Sequence, residues 1–148
     1  MKKFRFPLER LLNYRRGRLA AEQARLERLV AEQAALERRR AALEHEERFV
    51  MESLRRLPVL TASDLTAAEG FRRFAAAECV RLLSEAGMLA SRIEAQKNAV
   101  LSARREVEIL ERLREKRLHD WRAEVDKDME QQVAELVVAR WSRQAGRG

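Results

Sequence analysis

Few residues in this chain could do chemistry, and they are scattered. His45 stands between Glu44 and Glu46, His119 stands beside Asp120, and Cys79 is the single cysteine. An imidazole can act as a base or a metal ligand near neutral pH. On a helix, a metal needs a second ligand one turn away. Neither histidine has another histidine or cysteine at that spacing, so both read as solvated helical side chains. Glu124, Asp126, Asp128 and Glu130 alternate along the chain, which on a helix sends them round the axis and not to one point. The five glycines form no phosphate-cradling loop. No catalytic residue, cofactor site or metal site is expected, and the chain reads as a non-enzyme.

The elements that hold these residues follow from composition. Of 148 residues, 46% are hydrophobic and 37% charged, with only 5 Gly and 2 Pro. Chains so rich in Ala, Leu, Glu and Arg form long helices or coiled coils. Turns need Gly, Pro, Asn and Asp, and asparagine occurs only at Asn13 and Asn98. No apolar run approaches the ~20 residues that span a bilayer. Glu9, Arg10 and Arg15 interrupt the apolar residues after the basic start, so a secretory signal is not expected. A lone cysteine suits a reducing compartment, and Cys79 reads as a structural thiol.

A first helix is expected from about Pro7 to Leu57, with proline tolerated in its first turn and Pro58 ending it. Residues 58–70 supply the only credible connection. Thr61 and Asp64 have the spacing of a capping box, which predicts a short helical turn or an early start to the second helix. Gly70 is a candidate kink. The second helix is expected from about Phe71 to Trp141, with residues 142–148 as a flexible tail. These lengths correspond to roughly 75 and 105 Å at ~1.5 Å per residue.

Both helices carry an apolar stripe. In the first it comprises Leu8, Leu12, Arg15, Leu19, Glu22, Leu26, Leu29, Gln33, Leu36, Arg40, Leu43, Glu47, Val50, Leu54 and Leu57. Alternating steps of four and three mark a coiled-coil seam, and its polar members fix register at some cost in stability. In the second it comprises Leu82, Ala86, Leu89, Ile93, Gln96, Val100, Ala103, Val107 and Leu110. Beyond Leu110 the stripe continues through Arg114, Leu118, Trp121, Val125, Met129, Gln132, Leu136 and Arg140 in steps of an eleven-residue repeat, which relaxes a left-handed supercoil.

The predicted fold is therefore all-α: one coiled-coil domain over residues 1–148, an antiparallel two-helix hairpin with a short central connection and a C-terminal helical overhang. In that register Leu8 pairs near residue 120. About twenty residues project, carrying Val125, Met129, Leu136, Val137, Val138 and Trp141. An exposed apolar helix end bearing a tryptophan is a candidate binding surface. The net charge is +7, and residues 1–18 hold Lys2, Lys3, Arg5, Arg10, Arg15, Arg16 and Arg18 against Glu9 alone. Such a tip can steer into an acidic protein cavity. Phe4 and Phe6 alternate with basic residues, which could also stack bases. No zinc-finger, homeodomain or RNA-binding pattern is present, so a protein partner is favoured and no specific nucleic acid is expected.

The opening Phe4-Arg5-Phe6-Pro7-Leu8-Glu9-Arg10-Leu11-Leu12-Asn13-Tyr14-Arg15 resembles the N-terminal pattern of the FliJ family of flagellar type III export proteins. Arg105-Glu106-Val107-Glu108-Ile109-Leu110-Glu111-Arg112-Leu113-Arg114-Glu115-Lys116, followed by acidic residues to Glu130, resembles its C-terminal signature. Beyond Val137 the Arg- and Gly-rich sequence departs from the pattern.

This resemblance implies a small cytoplasmic two-helix protein, peripherally associated with the export apparatus at the inner membrane and similar to the central stalk of rotary ATPases. It implies three partners: a hexameric export ATPase, a membrane export-gate protein, and export substrate chaperones. It implies no hydrolysis by the chain itself and no direct membrane insertion. An ATPase-binding tip would comprise Phe4, Arg5, Phe6, Leu8, Arg10, Tyr14, Arg15 and Arg18, joined through hairpin geometry by Trp121, Met129 and Trp141. An export-gate surface would comprise Phe71, Phe74, Glu78 and Arg81. The residues alone leave three rivals open: a generic coiled-coil scaffold or tether, a basic helical-hairpin nucleic-acid binder, and a parallel homodimer in which Pro58 only kinks a helix.

Overall fold

A computed structural model describes residues 3–147. Met1, Lys2 and Gly148 lie outside it, so the Lys2 part of the basic run and the last residue of the expected tail are not addressed. The described residues form two α-helices, α1 (Glu9–Arg56) and α2 (Ala62–Ala145). Contacts divide the chain into two units: Leu19–Ser102, and Met1–Arg18 with Ala103–Gly148. In each unit a stretch of α1 packs antiparallel against a stretch of α2. Among the described residues no helix is long and apolar enough to cross a membrane.

The ends of both helices have chemical causes. Pro7 and Leu8 form a turn in which the Glu9 amide donates to the Phe6 carbonyl. The Leu12 amide donates to the Leu8 carbonyl at 2.9 Å. Helix α1 therefore begins two residues after the proline, with Glu9 in its positive first turn. Arg55 and Arg56 sit in its negative last turn, directly before Leu57 and Pro58.

The connection is residues 57–61, shorter than the expected 58–70. Thr61 and Asp64 account for the difference. The Thr61 amide donates to the Asp64 carboxylate, and the Asp64 amide donates to the Thr61 hydroxyl, each at 3.2 Å. This reciprocal cap satisfies two otherwise orphaned donors, so α2 starts at Ala62. Gly70 is no break: α2 passes through it without a positive φ. At the far end residues 142–145 are helical where a flexible tail was expected.

In the unit Leu19–Ser102, the buried apolar residues are Leu43, Ala75, Leu82, Leu89, Ile93 and Val100. Leu19, Leu26, Leu29, Leu36, Val50 and Leu54 complete the seam, half-buried. Two layers of helix cannot enclose a deep core, so most seam residues keep one edge in water. The Gln96 carboxamide donates to both the Glu22 carbonyl, at 2.9 Å, and the Glu22 carboxylate. These two polar seam positions thus satisfy each other, as burial of polar groups requires.

In the other unit, Phe6, Leu12, Ala103, Val107 and Leu110 are buried. Three ion pairs cross between its chain segments: Arg15 with Glu106 at 2.8 Å, Arg16 with Glu111 at 3.2 Å, and Arg114 with Glu9 at 3.1 Å. The expected pairing of Leu8 near residue 120 is therefore corrected toward residue 115, as the Glu9 to Arg114 pair requires. Of the expected seam, Leu8, Gln33 and Leu57 are exposed, and on α2 the covered stripe ends at Val125.

Candidate partner-binding surfaces

The first surface belongs to the unit that contains the N-terminal segment. Residues 3–6 are non-helical and lie against α2. The Phe4 ring meets Trp121 with centroids 6.0 Å apart and planes inclined by 55°. The Arg114 guanidinium lies 5.6 Å from the centre of the Phe4 ring, a cation–π arrangement. Phe4 thus meets both a cation and an indole, and Phe6 and Leu12 are buried. A groove of about 1110 Å³ opens where this segment lies along α2.

The charge of the groove is mixed. Lys3, Arg5 and Arg117 line it together with Asp120, Glu124 and Asp128. Its apolar floor includes Phe4, Trp121, Val125 and Met129. The three acids recur every fourth residue and so share one helical face. Of the alternating carboxylates, Glu124 and Asp128 belong to the groove and Asp126 and Glu130 do not. The missed signal was the four-residue spacing that begins at Asp120.

The expected tip residues separate into three kinds. Phe4, Arg5, Trp121 and Met129 meet in the groove. Phe6 and Arg15 are used inside the unit, Phe6 as core and Arg15 in its ion pair with Glu106. Leu8, Arg10, Tyr14 and Arg18 are exposed on α1 or just before it, and the Arg15 guanidinium lies 5.9 Å from the centre of the Tyr14 ring. Trp141 is not brought to Phe4. It stands five turns further along α2, 76% exposed, beside Val137, Val138 and Ala145.

The second surface lies in the unit Leu19–Ser102. Phe71 and Phe74 approach with centroids 6.5 Å apart; Phe71 is half-buried and Phe74 exposed. The Glu78 side chain is only 14% exposed. It accepts from Arg81 and, at 3.4 Å, from Arg39 across the helix pair. Hydrogen bonding and charge from Arg81, then from Arg39, hold the Glu78 carboxyl below its ordinary value of 4.5 against the opposing effect of desolvation. Arg81 also pairs with Glu85, and the carboxylates of Glu78 and then Glu85 make the Arg81 guanidinium hold its own proton more tightly. Phe71, Phe74, Glu78 and Arg81 therefore do lie together, but Glu78 is committed to partners within the unit.

His45 and His119 are exposed, and His119 is 3.9 Å from its neighbour Asp120. Among the described residues no three metal-ligating side chains converge. Comparison with family models, with curated proteins and with solved structures gives no match to this chain.

Proposed function

We propose that the chain is a non-enzymatic component of the flagellar type III protein export apparatus, a stalk-like helix pair that binds the hexameric export ATPase. In this reading it works at the cytoplasmic face of the inner membrane. It links the ATPase to the membrane export-gate protein and to export substrate chaperones. The observation that carries the reading is the N-terminal segment. Its Phe4, Phe6, Leu8, Tyr14 and Arg15 carry the resemblance to the FliJ pattern; Arg5 lines an open groove, and Arg10 and Arg18 are exposed on α1. A hexameric ring cannot match a single helix pair in six equivalent ways, so its contacts have to be few, polar and adaptable. Exposed arginines in the same unit as a fixed aromatic anchor meet that need.

The test is binding to a purified export ATPase. Arg5→Glu, Arg10→Glu and Arg18→Glu together are expected to weaken binding at least about a hundredfold, in line with the loss of several charge contacts. Arg15 is left intact because its ion pair with Glu106 supports the fold. Helical content is expected to be unchanged. Undiminished binding by a well-folded triple variant would remove the N-terminal segment from the interface and the reading with it.

A further inference from the structure

Beyond residue 125, α2 has no covered face: every described residue from 126 to 147 is exposed. This stretch is not a polar helix end. Met129, Val133, Leu136, Val137, Val138 and Trp141 all stand in solvent. Apolar surface of this extent on one helix calls for a cover.

The charge along the stretch says what the cover is. Residues 126–135 contain Asp126, Asp128, Glu130 and Glu135 against Lys127, a formal balance of −3. Residues 136–147 contain Arg140, Arg143 and Arg147 with no acid, a balance of +3. The two halves are equal and opposite in charge, and the exposed Leu136, Val137 and Val138 stand at the boundary between them. A second copy of the same helix, laid antiparallel, sets each acidic half against a basic half. A parallel copy would set like against like.

We propose that residues 126–147, the end of α2 and the turn that follows it, form an isologous antiparallel pair with the same residues of a second copy of this chain. With the two-fold axis near Leu136 and Val137, these two residues cross their counterparts at the centre. Met129 and Val133 of one copy then lie over the Trp141 end of the other. Glu130 faces the second copy's Arg143, and Asp126 faces its Arg147. The arrangement is closed, so it stops at two copies. Its charges fix the orientation, and its apolar centre supplies the attraction.

Sedimentation of the full chain from roughly 1 to 200 µM at an ionic strength of about 0.15 M tests the pairing. The expected result is a concentration-dependent dimer. Arg140→Glu with Arg143→Glu is expected to weaken it about tenfold or more, and Leu136→Asp to abolish it. All three sites are exposed, so helicity measured by circular dichroism is expected to stay constant. Orientation is tested in a Cys79→Ala background. A mixture of Glu130→Cys and Arg143→Cys chains is expected to give the mixed disulfide, with little of either like-with-like disulfide. A monomer throughout the concentration range overturns the proposal, as does dominant crosslinking of Arg143→Cys to itself.

Discussion

Phe4 and Trp121, at opposite ends of the sequence, meet ring to ring at 6.0 Å. The contact continues outward: Arg114 also approaches the Phe4 ring and pairs with Glu9 at the start of α1. Residues 3–6 have no helix or strand of their own to hold them. Side chains hold them, Phe4 through its contacts with Trp121 and Arg114 and Phe6 through burial.

Removing the Phe4 ring has a spectroscopic consequence. With Trp141→Phe as background, Trp121 is the sole indole. Phe4→Ala is expected to shift its emission to the red and to destabilise the chain by about 1–2 kcal/mol, from lost burial and lost ring contact. A double-mutant cycle with Trp121→Leu is expected to give a coupling of about 0.5–1.5 kcal/mol. An unshifted spectrum together with zero coupling means that the N-terminal segment is not seated there.

Adjacent leucines separate core from surface in the unit Leu19–Ser102. Leu82 is 2% exposed and Leu83 is 53% exposed. Leu82→Ala is expected to cost about 2–4 kcal/mol through lost transfer energy and a residual cavity. Leu83→Ala is expected to cost no more than about 0.5 kcal/mol. Urea midpoints measure both, and equal costs would rule out the register of the pairing.

Stability in acid depends in part on Glu78. Its carboxyl is held below 4.5 in the folded chain, chiefly by Arg81 and then by Arg39. A carboxyl with a lowered folded value binds fewer protons folded than unfolded, so its contribution is fully present above the ordinary carboxylate value. That contribution fades as pH falls toward and through the lowered one. The melting advantage of the parent chain over Glu78→Gln is therefore expected to be constant near neutrality and to vanish in strong acid. Melting curves against pH measure it, and a carboxyl resonance for Glu78 that titrates at or above 4.5 contradicts the geometry.

Much of the pairing was legible because one physical constraint repeats. An apolar or register-setting residue every three or four positions has to face a partner. Arg15, Glu22, Arg40 and Glu47 were placed on the seam of α1 from spacing alone, and all four are partly covered. The Thr61 and Asp64 cap was legible for a similar reason, since both partners lie within one turn. The resemblance to flagellar export proteins rests on short aromatic and charged motifs, and it enters the function only as a proposal.

What is local or periodic could be read from the chain alone: the two helices, the Thr61 and Asp64 cap, most of the covered stripe and the basic N-terminal run. Only the tertiary structure decided which side chains from distant segments share a surface. Phe4 turns toward Trp121 and not toward Trp141, Glu78 is shared by Arg39 and Arg81, and the acids at 120, 124 and 128 line one groove with Lys3 and Arg5. The reason is geometric. A helix repeat states which face a residue occupies, but the length of the connection sets which residue stands opposite. Glu9 pairs with Arg114, so the residue opposite Leu8 stands about one turn of helix before position 120.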